Sequence, residues 1–140
     1  MMAGIEEVLA LARKVQANAH APYSTFKVGA VLEAEDGSLH GGCNVENASL
    51  GLTLCAERGA MAAALAAGHR VFRRLVLVTD GTDPVPPCGG CREFLAEVAP
   101  DLPIVSEAGG SRKEWKLGEL LPLPFELRVE EVHSRGSDDD

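Results

Sequence analysis

Apolar residues at Ile5, Val8, Leu9, Ala12 and Val15 recur at intervals of three and four, which predicts an amphipathic helix. Pro22 closes that region, and residues 26–33 read as a strand. Asp36-Gly37 is a hairpin turn signal, with residues 38–45 as the returning strand. Residues 54–67 are Ala-rich and helical, stopped by Gly68. Residues 74–80, Arg-Leu-Val-Leu-Val-Thr-Asp, form a short buried strand of the kind found at the centre of a sheet. A third helix over 90–99 ends at Pro100, a strand follows over 102–106, and residues 117–121 make a helical turn before Pro122. Residues 125–132 alternate as an edge strand or a partner contact would. This order predicts the α/β class, with a three-layer α/β/α sandwich around a mixed five-stranded sheet.

No internal repeat breaks the chain, and its only low-complexity run is Asp138-Asp139-Asp140. At 140 residues it is sized for a single domain, expected over 1–133, with 134–140 as an acidic, disordered tail. A hydrophobic share of 46% and a charged share of 24% exclude whole-chain disorder, collagen-like repeats and a disulfide-dense scaffold. The net charge of −8 repels a phosphate backbone, so the expected partner is a small molecule and not nucleic acid. No apolar run reaches the roughly 18 residues of a membrane span. The first helix carries Glu6, Glu7, Arg13 and Lys14, unlike an export signal. A reducing cytoplasm is therefore the expected compartment, where the four Cys serve as metal ligands or free thiols.

Three of those Cys fall in Cys55-Ala56-Glu57-Arg58 and Pro87-Cys88-Gly89-Gly90-Cys91, each at a predicted helix start. Residues three apart share a helix face, so Cys88 and Cys91 can converge on one point. The partial positive charge of a helix N-terminus favours the thiolate, the form zinc binds. Three thiolates leave the fourth tetrahedral position open, as catalysis requires. Glu57 lies close enough to act at that position without ligating. Taken alone, Cys-x-x-Cys also fits a redox pair and a lone Cys fits a small core residue, but neither explains a third Cys followed by Ala-Glu-Arg. Cys43, on a strand and without a motif partner, is expected outside the ligand set. His20, His40, His69 and His133 fall outside the motifs and suit surface or packing roles.

These motifs resemble the zinc deaminase signature of His-x-Glu followed by Pro-Cys-x-x-Cys, in its variant with Cys in place of His. More of the chain is similar to the small homotetrameric cytidine deaminases: Ala21-Pro-Tyr-Ser-Thr-Phe-Lys-Val-Gly-Ala30, Gly42-Cys-Asn-Val-Glu-Asn-Ala-Ser49 and Gly118-Glu-Leu-Leu-Pro122. The resemblance spans roughly residues 5–125. It implies one zinc per chain on Cys55, Cys88 and Cys91, with Glu57 moving protons. It also implies ribose contacts from Asn44 and Glu46, packing of Phe26 against the nucleoside, backbone groups of Ala56 on the base, and Phe125 reaching a neighbouring subunit's site. The implied reaction is the hydrolytic deamination of cytidine and 2'-deoxycytidine in pyrimidine salvage.

Three thiolates overcompensate the metal's charge and weaken its acidity. Arg58, which the resemblance places beside the sulfurs, relieves this, and Arg92 is a second candidate by adjacency to Cys91. Leu50, Pro86 and Leu123-Pro124 depart from the family pattern and bear on substrate range. Two other readings compete: the same chemistry on a modified aminopyrimidine nucleoside of the blasticidin type, and a zinc-stabilised binding module without turnover. Phe26, Asn44 and Glu46 speak for an ordinary ribose, and a structural zinc has no need of Glu57.

Overall fold

The computed structural model describes residues 3–127. Helix α1 (Ile5–Gln16) has Glu6 and Glu7 in its first turn and Arg13 and Lys14 in its last, charges that complement the helix dipole. Strands β1 (Val28–Ala34) and β2 (Leu39–Cys43) form the expected hairpin. Gly37 supplies the positive φ of 87° that its turn requires. Helix α2 (Ala56–Ala66), strand β3 (Phe72–Thr79), helix α3 (Gly89–Ala96) and strand β4 (Pro103–Ala108) follow. Strand β5 (Ser111–Lys116) and the short helix α4 (Leu117–Leu120) complete the described elements.

The sheet order is β2-β1-β3-β4-β5, with β3 and β4 parallel and the other neighbours antiparallel. Strand alternation divides the core between the two faces. Val31, Val76, Val78 and Val105 pack with Val8, Leu9 and Ala12 of α1. Ala30, Leu32, Leu75, Leu77 and Ile104 pack with Ala56, Ala60, Met61 and Ala64 of α2, Leu95 of α3 and Leu117 of α4. The three-layer sandwich around a mixed five-stranded sheet is thus present, with α1 on one face and α2, α3 and α4 on the other.

The fifth strand differs from expectation. Among the described residues it is β5, a segment the pattern did not mark. Residues 125–127 are in no strand, and 128–132 lie outside the described residues, as do His133 and the acidic segment 134–140. The β5 sequence Ser-Arg-Lys-Glu-Trp-Lys lacks apolar alternation because the strand is an exposed edge that pairs, among the described residues, with β4 alone. Its signal was the preceding Gly109-Gly110, both at positive φ (54° and 81°), a tight hairpin pair.

Candidate metal centre

Cys55 is the N-cap of α2, Cys88 the N-cap of α3, and Cys91 lies in the first turn of α3. The Cys55 carbonyl accepts the Gly59 N–H at 3.1 Å, and the Cys88 carbonyl accepts the Arg92 N–H at 2.9 Å, so both cap residues are fixed by the first turn of their helices. Because α2 and α3 pack on the same face of the sheet, their starts bring the three Sγ atoms within 4.8 Å of one another. A tetrahedral zinc at 2.3 Å from each sulfur needs them about 3.8 Å apart. The three side chains therefore fit zinc with a small inward adjustment. Cys91 is buried, Cys55 half-buried and Cys88 exposed, so the group is reachable from one side. Cys43, at the end of β2, is not part of it.

The charges suit a metal. The Cys91 thiol donates to Cys55 and, despite partial burial, this bond and the Arg58 guanidinium hold Cys55 down to about 5. Cys91 is pushed up by that same role as donor, by burial and by the nearby Glu57 carboxylate. Cys55 is therefore a thiolate at neutral pH. Arg58 Nη2 donates to the Thr53 carbonyl at 2.9 Å and stands 3.5 Å from Cys55 Sγ. Arg92 does not serve the sulfurs: its guanidinium donates to the Pro87 carbonyl at 2.8 Å and the Leu120 carbonyl at 3.2 Å. It ties the loop before α3 to α4, its planar fork donating to one carbonyl from each. Glu57 is buried, and burial raises its carboxyl above the usual range.

A cavity of about 160 Å³ opens onto this group, lined by Val28, Asn44, Thr53, Cys55, Ala56, Glu57, Leu77, Thr79, Val85, Pro86 and Cys88. It contains four of the sequence-derived site residues besides Cys88: Asn44, Cys55, Ala56 and Glu57. The Asn44 Oδ1 accepts the Val28 N–H at 2.8 Å, and its Nδ2 donates to the Phe26 carbonyl at 2.8 Å. Glu46 does not line the cavity. Its Oε1 accepts the N–H groups of Tyr23 (3.0 Å) and Ser24 (3.1 Å), and its Oε2 accepts the Ser24 hydroxyl, bonds that lower its carboxyl below the usual range. Together they clamp a segment that includes Thr25 at a positive φ of 59°. Phe26, partly exposed, is carried on that segment. Phe125 lies away from this cavity, its N–H on Glu93 Oε1 at 3.2 Å and its ring 75% exposed.

Four lining residues had no motif to announce them: Thr53, Leu77, Thr79 and Val85. Thr79 carried a faint signal, as the one hydroxyl that follows the aliphatic run Leu75-Val76-Leu77-Val78. Pro86, a departure from the family pattern, is in the wall, whereas Leu50 sits exposed on a 3-10 turn (Leu50–Leu52).

Residues 2–106 match the family pattern described as the cytidine and deoxycytidylate deaminase zinc-binding region. A cytidine deaminase of Sporosarcina psychrophila is 41% identical over 123 residues, covering 86% of this chain and 90% of its own. One from Halalkalibacterium halodurans is 46% identical over 109 residues, covering 76% and 83%. The crystal structure of cytidine deaminase from Burkholderia pseudomallei superposes with a TM-score of 0.84 at 42% identity, over 88% of this chain and all (100%) of that one.

Proposed function

The chain belongs to the cytidine and deoxycytidylate deaminase zinc-binding family, and we propose that it hydrolyses cytidine and 2'-deoxycytidine to uridine and 2'-deoxyuridine with release of ammonia. The observation that carries this reading is the buried Glu57 carboxyl in the same cavity wall as Cys55 and Cys88, whose sulfurs converge with that of the buried Cys91. Cys55, Cys88 and Cys91 would hold a zinc ion, which when bound would supply Lewis acidity and make a water more acidic. Glu57 moves the protons: it takes one from the attacking water and delivers it to N3 of the ring so that C4 becomes electrophilic. It then takes the second from the hydroxyl added at C4 and delivers it to the amino group, which leaves as ammonia while C4 becomes the carbonyl of the product. Ala56 presents its peptide group to the base, because a first-turn N–H has no partner inside its helix. Val28, Leu77, Val85 and Pro86 furnish apolar walls that exclude water from the reacting carbon.

Asn44 and Glu46 support the ribose in this reading. Each is already fixed by backbone groups of 23–28, and Asn44 retains one N–H and one lone pair for a sugar hydroxyl. Phe26 packs against the bound nucleoside. Relatives at 41% and 46% identity that are named cytidine deaminases support this over a blasticidin-type substrate. The decisive assay mixes pure holoprotein with cytidine and follows ammonia and the ultraviolet change. No ammonia from cytidine or deoxycytidine would overturn the assignment.

The proposed assembly is a homotetramer in which Phe125 completes a neighbour's pocket by stacking on the pyrimidine. Support comes from the exposure of large apolar side chains that include Leu50, Leu52, Leu123 and Phe125. Solution mass and the kinetics of Phe125→Ala test it: a fully active monomer would end the composite-site idea. The proposed setting is the cytoplasm and pyrimidine salvage. Among the described residues no helix is long and apolar enough to cross a membrane.

A further inference from the structure

We propose that Thr79 is a substrate-binding residue whose hydroxyl hydrogen-bonds the polar edge of the pyrimidine. The inference rests on the cytidine reading above and concerns a residue outside the motifs that led to it. Leu75, Leu77 and Thr79 alternate onto the face of β3 that meets α2 and α3, and the first two are packed core. Thr79 takes the next position on that face and lines the cavity beside Leu77 and Val28, its register partner on β1. Its side chain is 6% exposed, and its Oγ1 has no hydrogen-bond partner among the described residues.

Buried hydroxyls ordinarily find a partner, and an unpaired one costs stability. Ser106 on the neighbouring strand β4 shows the usual solution, donating to the Val85 carbonyl at 2.7 Å. Thr79 has no such partner, although Val would fill the same volume at the end of an aliphatic run. The cavity supplies the reason. Its walls at Val28, Leu77, Val85 and Pro86 offer no side-chain donor or acceptor to a ring, while Ala56 and Glu57 serve it only from the α2 side. A pyrimidine carries polar atoms around much of its edge, and the Thr79 hydroxyl, both donor and acceptor, meets that edge from the sheet floor. Bound substrate thereby satisfies a group that the fold leaves unpaired.

The test compares wild type, Thr79→Val and Thr79→Ser as zinc-loaded enzymes, by steady-state kinetics with cytidine, zinc content and thermal midpoint. Thr79→Val should lose roughly tenfold in kcat/KM, equivalent to about 1.4 kcal/mol. Most of that loss should fall on KM, because the ring edge is held before and during reaction. The same variant should keep about one zinc per chain and an equal or higher midpoint, since no protein hydrogen bond is lost. Thr79→Ser should recover most of the activity. Wild-type kcat/KM in Thr79→Val would overturn the proposal, as would equal impairment of the Ser variant. A fall in zinc content or midpoint alongside activity would also overturn it, by assigning the residue to packing. If the Val variant does not fold, Thr79→Ala makes the same deletion and is judged by kcat/KM, zinc content and recovery in Thr79→Ser, since its lost methyl lowers the midpoint by itself. A wild type inactive on cytidine would instead overturn the reaction itself, and this assignment with it.

Discussion

Gly42 lies directly against Ala56: a Cβ on Gly42 would stand 2.5 Å from the Ala56 carbonyl oxygen and 2.5 Å from the Ala60 nitrogen. Strand β2 thus rests on the backbone of the first turn of α2, the turn that bears Glu57 and follows Cys55. Gly42→Ala should push α2 off the sheet and cost about 1–3 kcal/mol. Chemical denaturation together with zinc content checks this, and both should fall. Unchanged zinc retention would separate the β2–α2 contact from the metal centre.

Glu57→Gln should keep the fold and the zinc but lose at least about 10²–10⁴-fold in kcat, the range of general acid–base contributions. The amide fills the same space and cannot carry the proton. Metal analysis beside turnover distinguishes the outcomes: near-normal turnover would remove Glu57 from the mechanism, and loss of zinc would make it a ligand.

Cys43→Ser should retain about one zinc per chain, because Cys43 stands outside the sulfur group, whereas Cys91→Ser should lose it. Elemental analysis after dialysis against a mild chelator gives the answer. Zinc lost from the Cys43 variant would refute the three-ligand site.

Arg58→Ala should retain zinc at neutral pH but release it more readily in acid. Cys55 is held down to about 5 by the hydrogen bond from Cys91 and by the Arg58 guanidinium. Removing the cation raises the thiol, so protons displace the metal at a higher pH. The acidic limb of the rate–pH profile should move upward as well, because the sulfurs then donate more charge to the metal. A pH titration of zinc content with the profile measures both. Unchanged curves would leave Arg58 only its bond to the Thr53 carbonyl.

His40 should make stability fall as the solution turns acidic. Its ring lies 4.7 Å from that of His69, and both bond the Ser38 hydroxyl, with Asp36 beside them. Burial lowers its pKa from 6.5, the charge of His69 lowers it further, and Asp36 only partly opposes this. Below about pH 6.5 the unfolded chain therefore takes up the proton first, and stability drops until the folded pKa is passed. Urea midpoints at about pH 7.5 and about pH 5.5 should differ less in His40→Gln than in wild type. Equal differences would show that this histidine does not contribute.

The elements that bury a periodic face were legible without coordinates. Ile5 to Val15 repeats with the helix, residues 75–78 are aliphatic because both sheet faces are covered, and the two Cys motifs mark the starts of α2 and α3. The sulfur cluster was legible in part because some of its spacing is local: Cys88 and Cys91 share a helix turn and Glu57 is two residues from Cys55. Cys55, by contrast, meets the pair because α2 and α3 start side by side. Everything that depends on distant segments meeting was decided by the tertiary structure. Strand β5 has almost no apolar residue to announce it and exists because β4 offers it a hydrogen-bonding edge. Arg92 is adjacent in sequence to a ligand, yet it bonds the carbonyls of Pro87 and Leu120, because α4 is brought there by packing and not by spacing. Asn44 and Glu46 were visible as polar residues, but that they clamp residues 23–28 follows from the pairing of distant chain segments. Thr79 is one threonine at the end of a strand until Val28, the start of α2 and the loop before α3 enclose it. Local periodicity and spacing survive in one dimension; enclosure and partnership arise only when the chain closes on itself.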